Sequence, residues 1–498
     1  MRQELFVSDE AVRPAFHFTP ARNWMNDPNG LVWYDGEYHL FFQYNPLGSG
    51  WGNMSWGHAV SRDLLDWEEL PVALEHTPTE AVFSGSVVVD RADTSGLGGD
   101  DSPAMVAVYT SHDLLTGHQG QSVAWSTDKG RTWTRHPKNP VLDIGSTDFR
   151  DPKVSWYAEG GYWVMAVALA IERVVRLYRS DDLLVWTHLS DFGPAGSVDG
   201  VWECPDLFPV AVDGDPARTR WLLVVSVQEG APAGGSGTQY FVGDFDGTTF
   251  TADPSTEDVS WVDHGADYYA AVSFNDEPHG RRLLIAWMSN WDYARQVPTH
   301  PHRGAMSTPR AYELRTAGGR LVLAQTPVVE GLPGPVHQVT SQPVCDGVHP
   351  LPEDFRATST VLTLELDPGT ASRCGLHVRA GDGERTVVGY DAGERTLYVD
   401  RTRSGDTGFH PGFGAVHSAP LDLAAGEPLV LEIHVDTTSV EVYADGGRVV
   451  ITDQVFPSPG SDGIALFAEG GNAHLRRLTS ARAPAPGPAG RTGRARPR

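Results

Sequence analysis

Three short segments of the chain repeat one design. Ser61-Arg-Asp-Leu-Leu-Asp-Trp67, Ser126-Thr-Asp-Lys-Gly-Arg-Thr-Trp133 and Ser180-Asp-Asp-Leu-Leu-Val-Trp186 each hold a serine, an aspartate suited to closing a turn, and a tryptophan at which a strand resumes. The tryptophans are 66 and 53 residues apart. A repeat of roughly 40 to 50 residues, longer with insertions, marks propeller blades, four-stranded sheets that bury their faces only against their neighbours. This predicts a propeller over about the first 330 residues. The Ser/Asp/Trp segments read as turn staples with no chemistry of their own. Strand-like runs such as Leu31 to Tyr34, Tyr38 to Tyr44, Ala104 to Tyr109 and Tyr162 to Ala168 fill the intervals, bounded by Gly, Asp, Asn or Pro. No segment keeps a helical period over three turns, which sets aside a helical bundle.

The pattern changes at Thr326 to Pro335. Beyond Ser359, apolar residues alternate, as in Leu362-Leu364-Leu366 and Leu429-Leu431-Ile433-Val435, and Ser439 to Thr452 reads as a hairpin turning at Asp445-Gly446-Gly447. The expected division is a propeller over 1–335, a β-sandwich over 336–478, and a disordered basic Pro/Gly/Arg tail over 479–498.

Composition narrows the function. Lys and Arg total 38 against 64 Asp and Glu, a formal net charge of −26. A surface that acidic repels phosphate, which argues against nucleic acid or an anionic membrane as partner and leaves a neutral substrate unaffected. Cys204, Cys345 and Cys374 form no CxxC pair, so neither a disulfide scaffold nor a thiolate zinc site is expected. His300-Pro-His302 has no evident third ligand and reads as two loop histidines; no metal and no cofactor are expected. Met1 to Pro20 lacks an apolar core of the signal-peptide kind, so the chain as written reads as cytoplasmic, or as secreted if a leader has been removed.

Three carboxylates have unusual neighbours. Asp27 and Asp151 each precede a proline, which biases them toward extended backbone, and Asp27 also stands ahead of an Asn-Gly turn. Arg150 directly precedes Asp151 and is expected to keep it ionised if the two approach in space. Glu203 lies among Trp202, Cys204, Leu207 and Phe208, surroundings expected to disfavour its charge and suit it to proton donation. Singly, each is an ordinary turn or core acid. Together they fall on different proposed blades, whose inner strands converge on one axis. Glycosidic cleavage needs two carboxylates in unlike environments, one ionised and one protonated, and a third anion favours the oxocarbenium-like charge between them.

The blocks WMNDPNG (Trp24 to Gly30), FFQYNP (Phe41 to Pro46), WGHAVSRDLLDW (Trp56 to Trp67), FSGS (Phe83 to Ser86), RDPKV (Arg150 to Val154) and WECPDLF (Trp202 to Phe208) resemble the signature blocks of glycoside hydrolase family 32. Farther on, TQYFVGDFDG, AWMSNWDYARQVPT and RGAMSTPR resemble its levanase and exo-inulinase branch more than its dedicated sucrose invertases. The resemblance implies an all-β chain, a five-bladed β-propeller followed by a β-sandwich. It also implies an exo-acting, retaining hydrolase that releases terminal β-D-fructofuranosyl units from levan, inulin and sucrose. By the same resemblance Asp27 is the nucleophile, Glu203 the general acid and then base, and Asp151 the transition-state stabiliser. Asn26, Gln43, Trp51, Phe83, Ser84 and Arg150 line the terminal-fructose pocket, with Trp291 as a further aromatic wall.

Other readings stay open on the residues alone. A propeller glycosidase acting on arabinan would use the same three-acid logic, and release of arabinose rather than fructose would reveal it. The Ser126 to Trp133 turn resembles a sialidase Asp-box, but no arginine cluster or tyrosine nucleophile accompanies it. A non-catalytic fructan-binding propeller would fail a reducing-sugar assay.

Overall fold

In the computed structural model the described residues are 13–482, apart from 100–101, 255–258, 330–331, 333 and 335. Residues 483–498, most of the expected basic tail, lie outside them. The Ser/Asp/Trp segments close turns as their chemistry predicts. Ser61 Oγ accepts from Leu64 N–H at 2.8 Å, Asp63 Oδ1 accepts from Asp66 N–H at 2.9 Å, and Trp67 Nε1 donates back to Leu64 O at 3.1 Å. The same pattern recurs at Ser126/Asp128/Trp133 and at Ser180/Asp182/Trp186.

These turns join antiparallel strands into small sheets. The first holds β1 (Asn23–Tyr34), β2 (Glu37–Asn45), β3 (Ser55–Ser61) and β4 (Trp67–Leu74); the second β5 (Glu80–Asp90), β6 (Ala104–Asp113), β7 (Gln119–Ser126) and β8 (Thr134–Arg135); the third β9 (Phe149–Tyr157), β10 (Tyr162–Leu169), β11 (Val174–Ser180) and β12 (Thr187–Phe192). An eight-stranded sheet follows. It contains β13 (Trp202–Val212), β14 (Asp215–Val227), β15 (Gly237–Phe245) and β16 (Phe250–Ala252), then β17 (Tyr269–Ser273), β18 (Arg282–Trp287), β20 (Arg310–Ala317) and β21 (Arg320–Pro327). Its two halves meet at the pair Val212–Leu314. The short β19 (His302–Arg303) instead runs parallel to β1, pairing Asn23 with His302. His302 is therefore a buried strand residue, not the loop histidine expected, because the chain returns here to complete the first sheet.

Face-to-face packing closes these sheets into a ring. Phe41 and Trp56 pack with Val87 and Met105, Val106 and Val123 with Val154 and Met165, and Val164 and Leu177 with Trp202 and Leu223. Phe208 and Leu222 join Leu284 and Leu314, and Trp24 and Phe42 join Ile285 and Trp287, which returns to the start. Each sheet buries apolar surface only against its neighbours, so a face is left exposed unless the ring is complete.

Twelve later strands make a sandwich: β22 (His337–Val344), β23 (Gly347–Pro350), β24 (Thr360–Asp367), β25 (Arg373–Ala380), β26 (Arg385–Asp391), β27 (Thr396–Arg403), β28 (Val416–Pro420), β29 (Leu429–Asp436), β30 (Ser439–Ala444), β31 (Val449–Gln454), β32 (Gly463–Glu469) and β33 (Ala473–Arg482). They form two six-stranded sheets, ordered β22-β33-β24-β29-β30-β31 and β23-β32-β25-β26-β27-β28. The alternating residues Leu362, Leu364, Leu366, Leu429, Leu431 and Ile433 are fully buried between them. β33 runs on to Arg482, past the boundary expected at 478, because its last residues still pair with β24.

The sandwich is locked to the ring by buried charge. His17 bridges Asp436 at 2.8 Å and Glu441 at 2.7 Å, and Arg310 reaches Asp263 at 2.8 Å and also Glu441. Burial opposes protonation of His17, but its bonds to Asp436 and Glu441 outweigh it and push its pKa up to about 9. The β30–β31 turn packs on β21 so closely that a Cβ at Gly447, whose φ is 83°, would meet the Gln325 carbonyl oxygen at 1.9 Å. Only glycine fits both the conformation and the contact.

Candidate active site

The three singled-out acids sit at the starts of inner strands from three sheets: Asp27 on β1, Asp151 on β9 and Glu203 on β13. Each lies beside a break in strand register, at Met25/Pro28, opposite Ala166/Ala168, and at Glu203/Asp206. Proline causes the breaks, since Pro28, Pro152 and Pro205 have no N–H to give the ladder. A bulge re-aims the adjoining side chain, here toward the axis of the ring. Asp151 and Cys204 adopt positive φ values of 66° and 48°, conformations that cost energy outside glycine and persist because their surroundings hold them. A fourth break, at Val82/Gly85 on β5, presents Ser84.

The bulges bring the acids together. Ser84 Oγ donates to Asp27 Oδ2 at 2.7 Å and Asn26 Nδ2 donates to Asp27 Oδ1 at 3.0 Å. The Cys204 amide donates to Asp151 Oδ2 at 3.0 Å, and its thiol stands 3.6 Å from Asp27 Oδ2 and 3.7 Å from Asp151 Oδ2. Glu203 receives Arg150 Nε at 3.0 Å and Gln228 Nε2 at 2.9 Å, and Tyr269 donates a further short bond from its hydroxyl. Burial raises the pKa of Asp27, and the Glu203 charge raises it further. Burial, and then Glu203, push Asp151 up to about 7.

Two expectations are corrected here. Arg150 hydrogen-bonds Glu203 and not the aspartate that follows it; its charge lowers the pKa of Asp151 but is outweighed by burial and the Glu203 charge. Glu203 does not share an apolar pocket with its sequence neighbours. Trp202 and Cys204 belong to two different core clusters, the Cys204 thiol lying beside Asp27 and Asp151, while the Glu203 carboxylate meets three polar donors.

The remaining singled-out residues take distinct places. Trp51 is 44% exposed with its ring 6.2 Å from that of Phe83, which stacks on His112 at 4.7 Å. Gln43 is buried and donates to Val82 O at 3.0 Å, bracing the segment before Ser84 and bonding none of the acids. Trp291 packs on Trp24 at 6.1 Å and Trp287 at 4.9 Å, and stands edge-on to Tyr269 at 6.5 Å. Sequence reasoning passed over Gln228, Tyr269 and Thr110, whose hydroxyl accepts the Asp151 N–H at 2.9 Å. No local pattern marks them, since each is defined by facing an acid from another strand.

The profile of the glycosyl hydrolases family 32 N-terminal domain matches residues 17–327, and that of the family 32 C-terminal region matches residues 336–482. The chain belongs to glycosyl hydrolase family 32. Within family 32 it is 47% identical to a levanase of Bacillus subtilis over 95% of this chain and 70% of the levanase. The crystal structure of the exo-inulinase of Aspergillus awamori superimposes with a TM-score of 0.92 at 38% identity, covering 96% of this chain and all of that one. A β-fructofuranosidase of Schwanniomyces occidentalis, solved with fructosyl-erythritol, gives a TM-score of 0.86 at 30% identity over 96% of this chain and 99% of that one.

Proposed function

We propose that this family 32 chain is a retaining exo-β-fructosidase that removes terminal β-D-fructofuranosyl units from levan and inulin and also cleaves sucrose. The observation that carries the reading is the convergence of Asp27, Asp151 and Glu203, with different partners for each. Asp27 attacks the anomeric carbon and forms an ester. Glu203 gives its proton to the departing glycosidic oxygen, then takes one from the water that opens the ester, so that fructose leaves with retained configuration and both acids return to their starting state. Asp151, buried beside them, favours the positive charge that develops on the ring. The Glu203 charge opposes ionisation of both Asp27 and Asp151, and the reaction proposed here runs from the form in which Glu203 carries the proton and the two aspartates are ionised.

Asn26 and Ser84 hold Asp27 in place, Arg150 and Gln43 brace the far sides of the pocket, and Trp51, Phe83 and Trp291 supply aromatic walls for the sugar ring. The levanase and exo-inulinase relatives support the choice of fructans. An invertase of Saccharomyces cerevisiae, 44% identical over 62% of this chain, supports sucrose. The architecture we favour is a five-bladed propeller over 1–335, counting the eight-stranded sheet as two blades joined at Val212–Leu314, followed by a sandwich from 336 to the end of β33 at Arg482. Chromatography of products from levan, inulin and sucrose over time tests the function. Fructose alone at every time point fits chain-end attack, whereas a ladder of oligosaccharides, or no release, rejects it.

A further inference from the structure

The sandwich grips the segment behind the active site through β31, where the Asp267 N–H donates to Thr452 O at 3.0 Å and the Gln454 N–H donates to Asp267 Oδ2 at 2.8 Å, and through one buried cation. Arg401, on β27, is fully buried, and its guanidinium is aimed out of the sandwich by the Phe413 carbonyl, 2.7 Å from Nε, and by the Phe413 ring 4.0 Å away. Its Nη1 donates to Asp267 Oδ2 at 2.7 Å and its Nη2 to the Tyr293 hydroxyl at 3.0 Å, while that hydroxyl donates to Asp267 Oδ1 at 2.7 Å. This closed ring of three side chains clamps two segments of the other domain. Asp267 stands two residues before Tyr269, whose hydroxyl bonds Glu203. Tyr293 stands two residues after Trp291 in a turn where Tyr293 and Ala294 both donate to Asn290 O, and Asn290 Nδ2 returns to Ala266 O at 2.8 Å, next to Asp267.

We propose that Arg401 is a positioning residue for proton donation. By fixing Asp267 and Tyr293 together it sets where Tyr269 meets Glu203, so the sandwich takes part in cleaving the glycosidic bond. The inference rests on Glu203 acting as the proton donor. A buried fork donor shared by two segments fixes their spacing in a way that neither an ammonium nor an apolar group reproduces. A small displacement of a proton-transfer partner is enough to slow the chemistry.

The test compares Tyr293→Phe, which removes one hydroxyl, and Arg401→Met, each measured by kcat/KM on sucrose and on 4-nitrophenyl β-D-fructofuranoside, whose leaving group needs little protonation. Thermal melting of each variant is followed alongside. The expected result is a loss of about tenfold on sucrose with little loss on the activated substrate. Equal losses on both substrates, or melting shifts with unchanged kcat/KM, overturn the inference and leave Arg401 a purely structural residue. If Arg401→Met does not fold, Tyr293→Phe decides alone. Glu203→Ala separates the two levels of the argument. If that variant shows no split between the substrates, the donor assignment itself is wrong; if it shows the split and Tyr293→Phe does not, only the role of Arg401 falls.

Discussion

Arg150 holds Glu203, Nε to Oε1 at 3.0 Å, across two strands of different sheets. The side chain that precedes one acid in sequence thus serves another. Replacing Arg150 by Ala removes a charged donor from Glu203 and is expected to lower kcat/KM on sucrose by about a hundredfold. Steady-state kinetics check this, and a loss below about threefold would remove Arg150 from the machinery.

Asp27→Ala and Glu203→Ala are each expected to cut turnover by about four orders of magnitude or more while leaving the circular dichroism spectrum unchanged. The double variant should be hardly slower than either single one, because the two carboxylates act as a unit. Near-normal activity in either single variant would reject the assignments.

Asp151, at about 7, illustrates a site that works against stability. A carboxylate whose folded pKa is raised favours the folded state most at low pH, and that advantage is lost as pH rises from its ordinary value through about 7. Asp151→Asn, which has no charge to bury, is therefore expected to melt a few degrees above the parent at pH 8 and close to it at pH 4, with activity abolished. Thermal melts at the two pH values check the sign; a variant less stable at pH 8 would contradict it.

His17 carries the opposite sign. Its pKa is raised to about 9, so its contribution is complete below its ordinary 6.5 and disappears as pH climbs through 9. Denaturant unfolding of the parent should lose up to about 3 kcal/mol over that window, and His17→Gln should lack that slope. Identical pH profiles for the two proteins would show that the Asp436–His17–Glu441 bridge does not couple protonation to folding.

Local chemistry was the most legible part of this molecule. The turn staples, the Leu362-Leu364-Leu366 alternation and the hairpin at Asp445-Gly446-Gly447 are short-range devices, and a sequence prints them whole. Asp27 and Asp151 were legible because each stands before a proline that disrupts a strand, whereas Glu203 was singled out by apolar neighbours that do not in fact surround its carboxyl group. The partners of those acids were not. Tyr269 and Gln228 meet Glu203 from other strands, and Arg150 turned to an acid 53 residues away because strand alternation and the bulge, not adjacency, decide which side chains share a face. His302 was misplaced for the same reason, since pairing with β1 cannot be read from the His-Pro-His segment.

β33 lies between β22 and β24, inside its sheet and not at an edge. Of the described strands it is the last to leave the ribosome, so until then the nascent sandwich carries two raw flanks whose amides have no mate. Newly made protein halted before Ala473 would expose both to other chains, which makes this late strand the step at which synthesis is most open to clumping.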